Sequence, residues 1–276
     1  MQPPIPTFQM NNALEIPALG LGMYRSSEGS VAERAVLHAL EAGYRLFDTA
    51  SFYGNERSVG RAIRKSVIPR SEVFVTTKLW NSDHGYDSTL RAFQESRERL
   101  GLDAVDLYLI HWPVERLRLD TWRAMETLLD EGLCRAIGIS NYMVHHLEEL
   151  LDHTDVVPAV NQIELHPYNY LSRVDIVNLC RSKGIQVEAY SPLTKGRRLK
   201  DLRLGRIAMT YGKTPAQILL RWAHERGFIV IPKSTNRERI YENAAIFDFS
   251  LSREHMEKLD SFDQALATAW DPTDKP

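Results

Sequence analysis

The stretch VDLYLIHWPVERLRLDTWRAMETLLDEGLCRAIGIS, residues 105–140, decides the fold. It opens on a near-continuous apolar run, Val105–Trp112. Leu119–Asp130 then carries its apolar residues at spacings of three and four, the helical period. Gly132 stands where a helix ends in left-handed backbone, and Cys134–Ser140 begins a second apolar run. Strand, helix and strand in this order, with strands that have no wet face, predict a parallel sheet covered by helices.

The same unit repeats in both directions. Candidate strands lie at Leu19–Met23, Arg45–Ala50, Val73–Lys78, Val105–Trp112, Cys134–Ser140, Ala159–Glu164, Gln186–Ser191 and Phe228–Pro232. Helical patterns lie between and after them at Val31–Glu41, Arg57–Lys65, Ser88–Arg99, Leu119–Asp130, His145–Leu151, Arg173–Lys183, Thr214–Glu225 and Arg237–Asn243. Gly43, Gly101, Gly184 and Gly227 mark helix ends as Gly132 does. Eight units without a change of composition fit a closed (β/α)8 TIM barrel better than an open sheet, which needs no fixed count. Thr7–Ile16, with the turn-prone pair Asn11-Asn12, is expected to form a short N-terminal β-hairpin plugging the barrel bottom. A further helix is expected at Arg253–Phe262, in a C-terminal extension. No linker or low-complexity tract divides the chain, so residues 1–276 read as one domain.

Composition narrows the function. The 34 Lys and Arg against 36 Asp and Glu leave a formal charge of −2, which gives no electrostatic case for nucleic acid or an anionic membrane. No window reaches the ~18 uninterrupted apolar residues of a membrane span, and the first residues lack the basic and apolar regions of a secretory signal. A soluble, cytoplasmic protein is the expectation. Cys134 and Cys180 stand in unrelated contexts, so neither a disulfide framework nor a metal cluster is signalled.

In such a barrel, functional residues gather at the C-terminal ends of the strands. Read there, the second strand ends in Asp48 and leads to Tyr53, the third ends in Lys78, and the fourth in His111. A lysine closing an apolar strand is costly to bury unless paired, and Asp48 on the neighbouring strand is the candidate partner. The set suits proton transfer to a carbonyl oxygen. Tyr53 donates the proton, Lys78 is expected to pull its phenol below the usual ~10, Asp48 holds Lys78, and a neutral His111 orients the oxygen. Singly, each has a plainer role: a structural ion pair, a loop anchor, a satisfied core histidine. Four together at adjacent strand ends favour chemistry. Neither a Ser or Cys nucleophile nor a glycosidase carboxylate pair accompanies them.

Gly43-Tyr-Arg-Leu-Phe-Asp48-Thr-Ala, Tyr53-Gly-Asn-Glu56, Thr77-Lys78-Leu-Trp80, Asp106-Leu-Tyr-Leu-Ile-His111-Trp-Pro and Ile231-Pro-Lys-Ser234 together resemble the aldo-keto reductase family. The likeness runs from Leu19 to about Phe249, with the motifs in family order. Within the family the chain most resembles the branch of trypanosomatid prostaglandin F synthases and bacterial 2,5-diketogluconate reductases. The resemblance implies NADPH-dependent reduction of aldehydes or ketones, with Tyr53 as general acid, Lys78 and Asp48 tuning it, and His111 orienting the substrate. The chain has no Gly-x-Gly-x-x-Gly run. The resemblance instead implies NADPH/NADP+ laid across the barrel mouth and touched at Gly22 and Met23. Ser140, Asn141 and Gln162 hold the carboxamide, Tyr190 stacks on the nicotinamide, and Ser191 and Leu193 meet the pyrophosphate. Lys233, Ser234 and Arg239 clamp the 2′-phosphate, and Glu242 and Asn243 lie near the adenine. Amides and hydroxyls suit a carboxamide, which both donates and accepts; cations at a helix start suit a phosphate. A monomeric state and cofactor-first binding also follow from the resemblance only.

Three features depart from the pattern. Leu46-Phe47 replaces a frequent His-Ile, Tyr142 a frequent Phe, and the loop Thr194–Asp201 is short and basic, its cations either touching pyrophosphate or solvated. Tyr24, Trp80 and Trp112 are the expected substrate wall, with the segment around Trp270 as a lid, which suits apolar or aromatic carbonyl compounds without choosing among them. The alternative reading is an NADPH-binding sensor or regulatory subunit on the same barrel. An aldolase-like barrel leaves Tyr53 and the carboxamide trio without a task.

Overall fold

The computed structural model describes residues 3–275. Two short antiparallel strands come first, β1 (Thr7–Gln9) and β2 (Glu15–Pro17), with Phe8 opposite Ile16. Eight strands then form one parallel sheet in sequence order: β3 (Gly20–Gly22), β4 (Leu46–Asp48), β5 (Phe74–Leu79), β6 (Val105–Ile110), β7 (Cys134–Ser140), β8 (Val160–Glu164), β9 (Gln186–Tyr190) and β10 (Ile229–Val230). A parallel bridge from Leu19 to Val230 brings the last strand against the first and closes the ring. The eight-stranded barrel read from residues 105–140 outward is therefore the observed architecture.

The helices are α1 (Ser30–Glu41), α2 (Glu56–Lys65), α3 (Tyr86–Leu100), α4 (Arg118–Asp130), α5 (Val144–Leu151), α6 (Val174–Ser182), α7 (Leu202–Tyr211), α8 (Pro215–Glu225), α9 (Arg237–Ala244) and α10 (Arg253–Asp260). In α1 the buried residues Ala32, Ala35, Val36, Ala39 and Leu40 recur at the expected spacing and face the sheet. Helix α7 was not expected from the sequence. Its signals are nonetheless local: Asp201 caps it by accepting from Arg203 N at 2.9 Å, Leu204, Ile207 and Ala208 are buried, and Gly212 ends it in left-handed backbone. Its solvent face, with Leu202 and Met209 exposed, blurs the pattern.

Two apolar clusters share the strands by alternation. One lies between sheet and helices. The other fills the barrel, where Leu46, Phe74, Leu107, Leu109, Ala136, Val160 and Ile229 meet Met10 and Ile16 of the hairpin segment. The hairpin thus plugs the bottom, as expected. Further along the same inward faces the residues turn polar: Asp48 follows Leu46, Lys78 follows Phe74 and Thr76, and Gln162 follows Val160. The barrel is apolar below and polar at its mouth. Among the described residues no helix is long and apolar enough to cross a membrane.

Candidate active site

The short loop after β4 fixes Tyr53. Asn55, fully buried, donates to Met23 O at 2.9 Å and Ser26 O at 2.8 Å and accepts from Thr49 Oγ1 at 2.6 Å. Glu56 accepts from Thr77 Oγ1 at 2.6 Å and from Arg99 Nε at 2.6 Å. Gly54, between Tyr53 and Asn55, takes φ 66°, a left-handed conformation that a side chain at this tight turn would strain. The chain is thereby folded back so that the Tyr53 ring stands over the barrel mouth.

Beneath it, Lys78 Nζ donates to Asp48 Oδ1 and Oδ2, each at 2.7 Å, to Thr49 O at 2.9 Å and to Tyr53 Oη at 3.4 Å. Lys78 is fully buried and Asp48 nearly so; such a pair persists only because its remaining protons and lone pairs are satisfied. The phenol is not lowered as the sequence suggested. Burial, reinforced by Asp48, raises Tyr53 well above the usual value, because the cation nearest it already faces a carboxylate. Tyr53 thus holds its proton at neutral pH. The His111 ring stands edge-on to that of Tyr53, with centroids 5.6 Å apart. Burial first, and then Lys78, keep His111 well below the ordinary histidine value, so the imidazole is neutral.

From this cluster a cleft of about 1000 Å³ runs across the mouth to the start of α9. Its course passes Ser140, Asn141 and Gln162, then Tyr190, Ser191 and Leu193, then Lys233, Ser234 and Arg239, with Glu242 and Asn243 at the far end. Gly22 lines it too; a Cβ there would lie 2.8 Å from Ile231 O, so glycine lets β3 and the segment after β10 meet. Met23 does not line the cleft. The alternation of β3 turns its side chain into the helix-side core, and it offers the cleft no side chain.

The polar atoms of the cleft are already arranged. Ser140 Oγ donates to Gln162 O at 2.9 Å, Asn141 Nδ2 donates to His111 O at 2.9 Å, and Tyr190 Oη donates to Asn141 Oδ1 at 2.8 Å. Asn141 at φ 65° and Ser191 at φ 48° hold left-handed backbone beside it, strain that a rigid barrel rim can impose. At the far end Asn236 caps α9 by accepting from Arg239 N at 2.9 Å. The exposed ends of Lys233 and Arg239 make no ion pair among the described residues. Glu242 also accepts from Thr214 Oγ1 at 2.7 Å, so it ties α9 to the start of α8.

Tyr24, Trp80 and Trp112 line the cleft at the Tyr53 end, and Trp270 meets Trp112 edge-on at 4.6 Å. Several contributors were not read from the sequence. Phe52 stacks on Trp80 at 3.7 Å, next to Tyr53. Glu164 accepts from Thr268 N at 2.9 Å and Ala269 N at 3.0 Å, pinning the chain just before Trp270. Lys195 donates to Thr268 O at 2.6 Å, so this cation of the basic loop is neither on its own in solvent nor free: it braces the C-terminal segment at the cleft's edge. Glu188 lies inside the mouth beneath Tyr190. Its signal was present as a charge inside the strand Gln186–Tyr190.

A barrel with the buried Asp48–Lys78–Tyr53 cluster at one end of a long cleft, and Lys233 and Arg239 at the other, is matched by proteins of the oxidoreductase class. Comparison then fixes the family. The Aldo/keto reductase family model matches residues 18–264. The chain is 47% identical over 258 residues to glyoxal reductase of Bacillus subtilis (94% of this chain, 93% of that one). It is also 47% identical over 266 residues to the 9,11-endoperoxide prostaglandin H2 reductase of Trypanosoma cruzi (95% and 93%). The crystal structure of the Bombyx mori aldo-keto reductase in complex with NADP superposes with a TM-score of 0.91 at 38% identity, covering 98% of this chain and 96% of that one. The chain belongs to the aldo/keto reductase family.

Proposed function

We propose that this chain, acting as one barrel domain, reduces aldehydes and ketones to alcohols with NADPH. The observation that carries the reading is the Asp48–Lys78–Tyr53 line with a neutral His111, placed at the head of a cleft that ends at the cations Lys233 and Arg239. The residues along that cleft fit the cofactor. Ser140, Asn141 and Gln162 are carboxamide partners and Tyr190 is the stacking ring. Ser191 and Leu193 flank the pyrophosphate, and Lys233, Ser234 and Arg239 suit a 2′-phosphate at the start of α9. Bound NADPH supplies the hydride that side chains cannot.

The protein's own part is the proton and the oxygen. His111, uncharged, donates a hydrogen bond to the carbonyl oxygen and fixes its position between imidazole and phenol. As the carbonyl carbon gains the hydride, the oxygen takes the Tyr53 proton. Lys78 then lies 3.4 Å from the phenolate that results and stabilises it there. The high resting value of Tyr53 and the ready cation are thus complementary: the proton is kept until the oxygen becomes basic.

Phe52 stacked on Trp80, and Trp270 set edge-on to Trp112, make an aromatic wall at the Tyr53 end of the cleft. It suits aromatic and apolar aldehydes, and its open side admits small dicarbonyls of the kind the glyoxal reductase is named for. The test is oxidation of NADPH at 340 nm with 4-nitrobenzaldehyde, in wild type and Tyr53→Phe. Loss of one proton donor is expected to cost about 10²-fold or more in kcat with NADPH binding intact. A wild type that binds NADPH and turns over no carbonyl refutes the reading in favour of a sensing role.

A further inference from the structure

Beneath the cleft, behind Gln162, lies a carboxyl group with no task in the reaction above. Glu188 is fully buried on β9, opposite Gln162 on β8 in the parallel register. Gln162 Nε2 donates both hydrogens inward, one to Asp48 Oδ2 at 2.8 Å and one to Glu188 Oε1 at 3.0 Å. Two carboxyl oxygens side by side decide which way this amide faces. Reversed, its oxygen would lie against the Asp48 carboxylate and its hydrogens would lose both partners. The amide oxygen is therefore the atom left for the cleft that Gln162 lines.

Asp48 cannot impose this alone. Both its oxygens already take hydrogen bonds from Lys78, and it offers Gln162 a single bond. Without Glu188, the second N–H of a buried amide would have no acceptor, and an unmade bond is costly enough to turn or displace the group. The other Glu188 oxygen, Oε2, is buried with no hydrogen-bond partner among the described residues. Such an expense is not expected of a residue that merely fills the barrel, where Leu109 and Val160 do so without it.

We propose that Glu188 is a positioning residue for the cofactor: it locks the Gln162 amide so that Oε1 faces the cleft and accepts from the NH2 of the nicotinamide carboxamide. The inference rests on the NADPH reading and assigns what orients one of its partners. Because Gln162 also bonds Asp48, the same lock ties the carboxamide seat to the pair beneath Tyr53.

The experiment measures dissociation constants by tryptophan quenching for two probes, NADP+ and its 3-acetylpyridine analogue, in which a methyl replaces the carboxamide NH2. Glu188→Met keeps the volume and removes the acceptor. It is expected to weaken NADP+ about tenfold and the analogue by no more than about twofold, the scale of one hydrogen bond. Glu188→Gln keeps an acceptor oxygen at the same place and is expected to restore the preference for NADP+. In a Gln162→Met background, Glu188→Met is expected to add nothing. Equal weakening of both probes, no weakening of either, or a Glu188→Gln variant that behaves like Glu188→Met overturns the assignment; so does a further loss in the Gln162→Met background. These failures leave the parent reading standing where wild type binds NADP+ and Tyr53→Phe loses turnover. A wild type that binds neither dinucleotide overturns both.

Discussion

The two ends of the cleft are built on opposite plans. At the head, Lys78 and Asp48 are buried and every Nζ direction has an acceptor; Tyr53 is held by a loop pinned through Asn55 and Glu56. At the foot, Lys233 and Arg239 flank the exposed start of α9, with no ion pair at their charged ends among the described residues. Ser234, between them, is buried and turns its hydroxyl to Asn236. Proton transfer needs groups fixed before the substrate arrives, since any reorganisation would add to the barrier. Holding a phosphate needs only cations and amides that settle around it. The head is therefore part of the fold, and the foot is attached to it. Partial burial pulls Lys233 below its ordinary value, a modest echo at the foot of what burial does at the head.

Removing one member of each end tests that contrast most severely. Lys78→Met strands a buried carboxylate, and is expected to cost about 3–5 kcal/mol of stability in urea unfolding. It is also expected to lose about 10²-fold or more in kcat, having removed the group proposed to stabilise the Tyr53 phenolate. Arg239→Ala touches nothing that the fold uses, and is expected to leave stability within about 0.5 kcal/mol. Its effect appears in the cofactor alone: NADPH binding falls about tenfold or more, the scale of a charge-assisted hydrogen bond, and NADH binding stays as it was. If the two variants lose stability equally, the head is not the structural core it is taken for. If Arg239→Ala weakens both dinucleotides alike, it does not hold the 2′-phosphate.

The same contrast explains what was legible in the sequence. Strand positions were readable because a barrel strand buried on both faces is an apolar run, and Asp48, Lys78 and His111 stand out as polar ends of such runs. The hairpin plug was readable from Asn11-Asn12 and its flanking residues. Helix α7 was hidden by Leu202 and Met209, apolar residues that face solvent and spoil its period. The direction of the Tyr53 shift was hidden for another reason. A sequence shows that a lysine and a tyrosine stand near each other, but not that the lysine bonds both oxygens of Asp48 while burial acts on the phenol. Met23 follows Gly22 directly, and because neighbours on a strand point to opposite sides its side chain lies in the core while Gly22 lines the cleft. Lys195 and Glu164 act on a chain segment about 70 and 100 residues away, and no local pattern marks such a pairing.

A milder change, pH, acts on the two ends in separable ways. His111 is a base whose value is driven down, so it stays uncharged at pH 7 and gains a proton only well below the usual ~6.5. Tyr53 is an acid whose value is driven up, so it keeps its proton beyond the usual ~10. With NADPH saturating, the reduction rate is therefore expected to lack an acid limb between about pH 7 and pH 5.5. Glu188, pushed up to about 8 by burial and then by Asp48, is the head group that titrates nearest neutrality. Any inflection of the rate near that value is expected to vanish in Glu188→Gln. At the foot the titrating group belongs to the ligand: a phosphate monoester takes up its second proton near ~6 and loses part of its charge. NADPH affinity is thus expected to fall a few-fold over the same acid range, about 2- to 5-fold on the scale of one partly neutralised contact, while NADH affinity holds. Initial rates and dissociation constants measured side by side from pH 5.5 to 9 separate the two. A rate that falls in acid together with NADPH affinity, at saturation, would mean that the head is no better shielded than the foot.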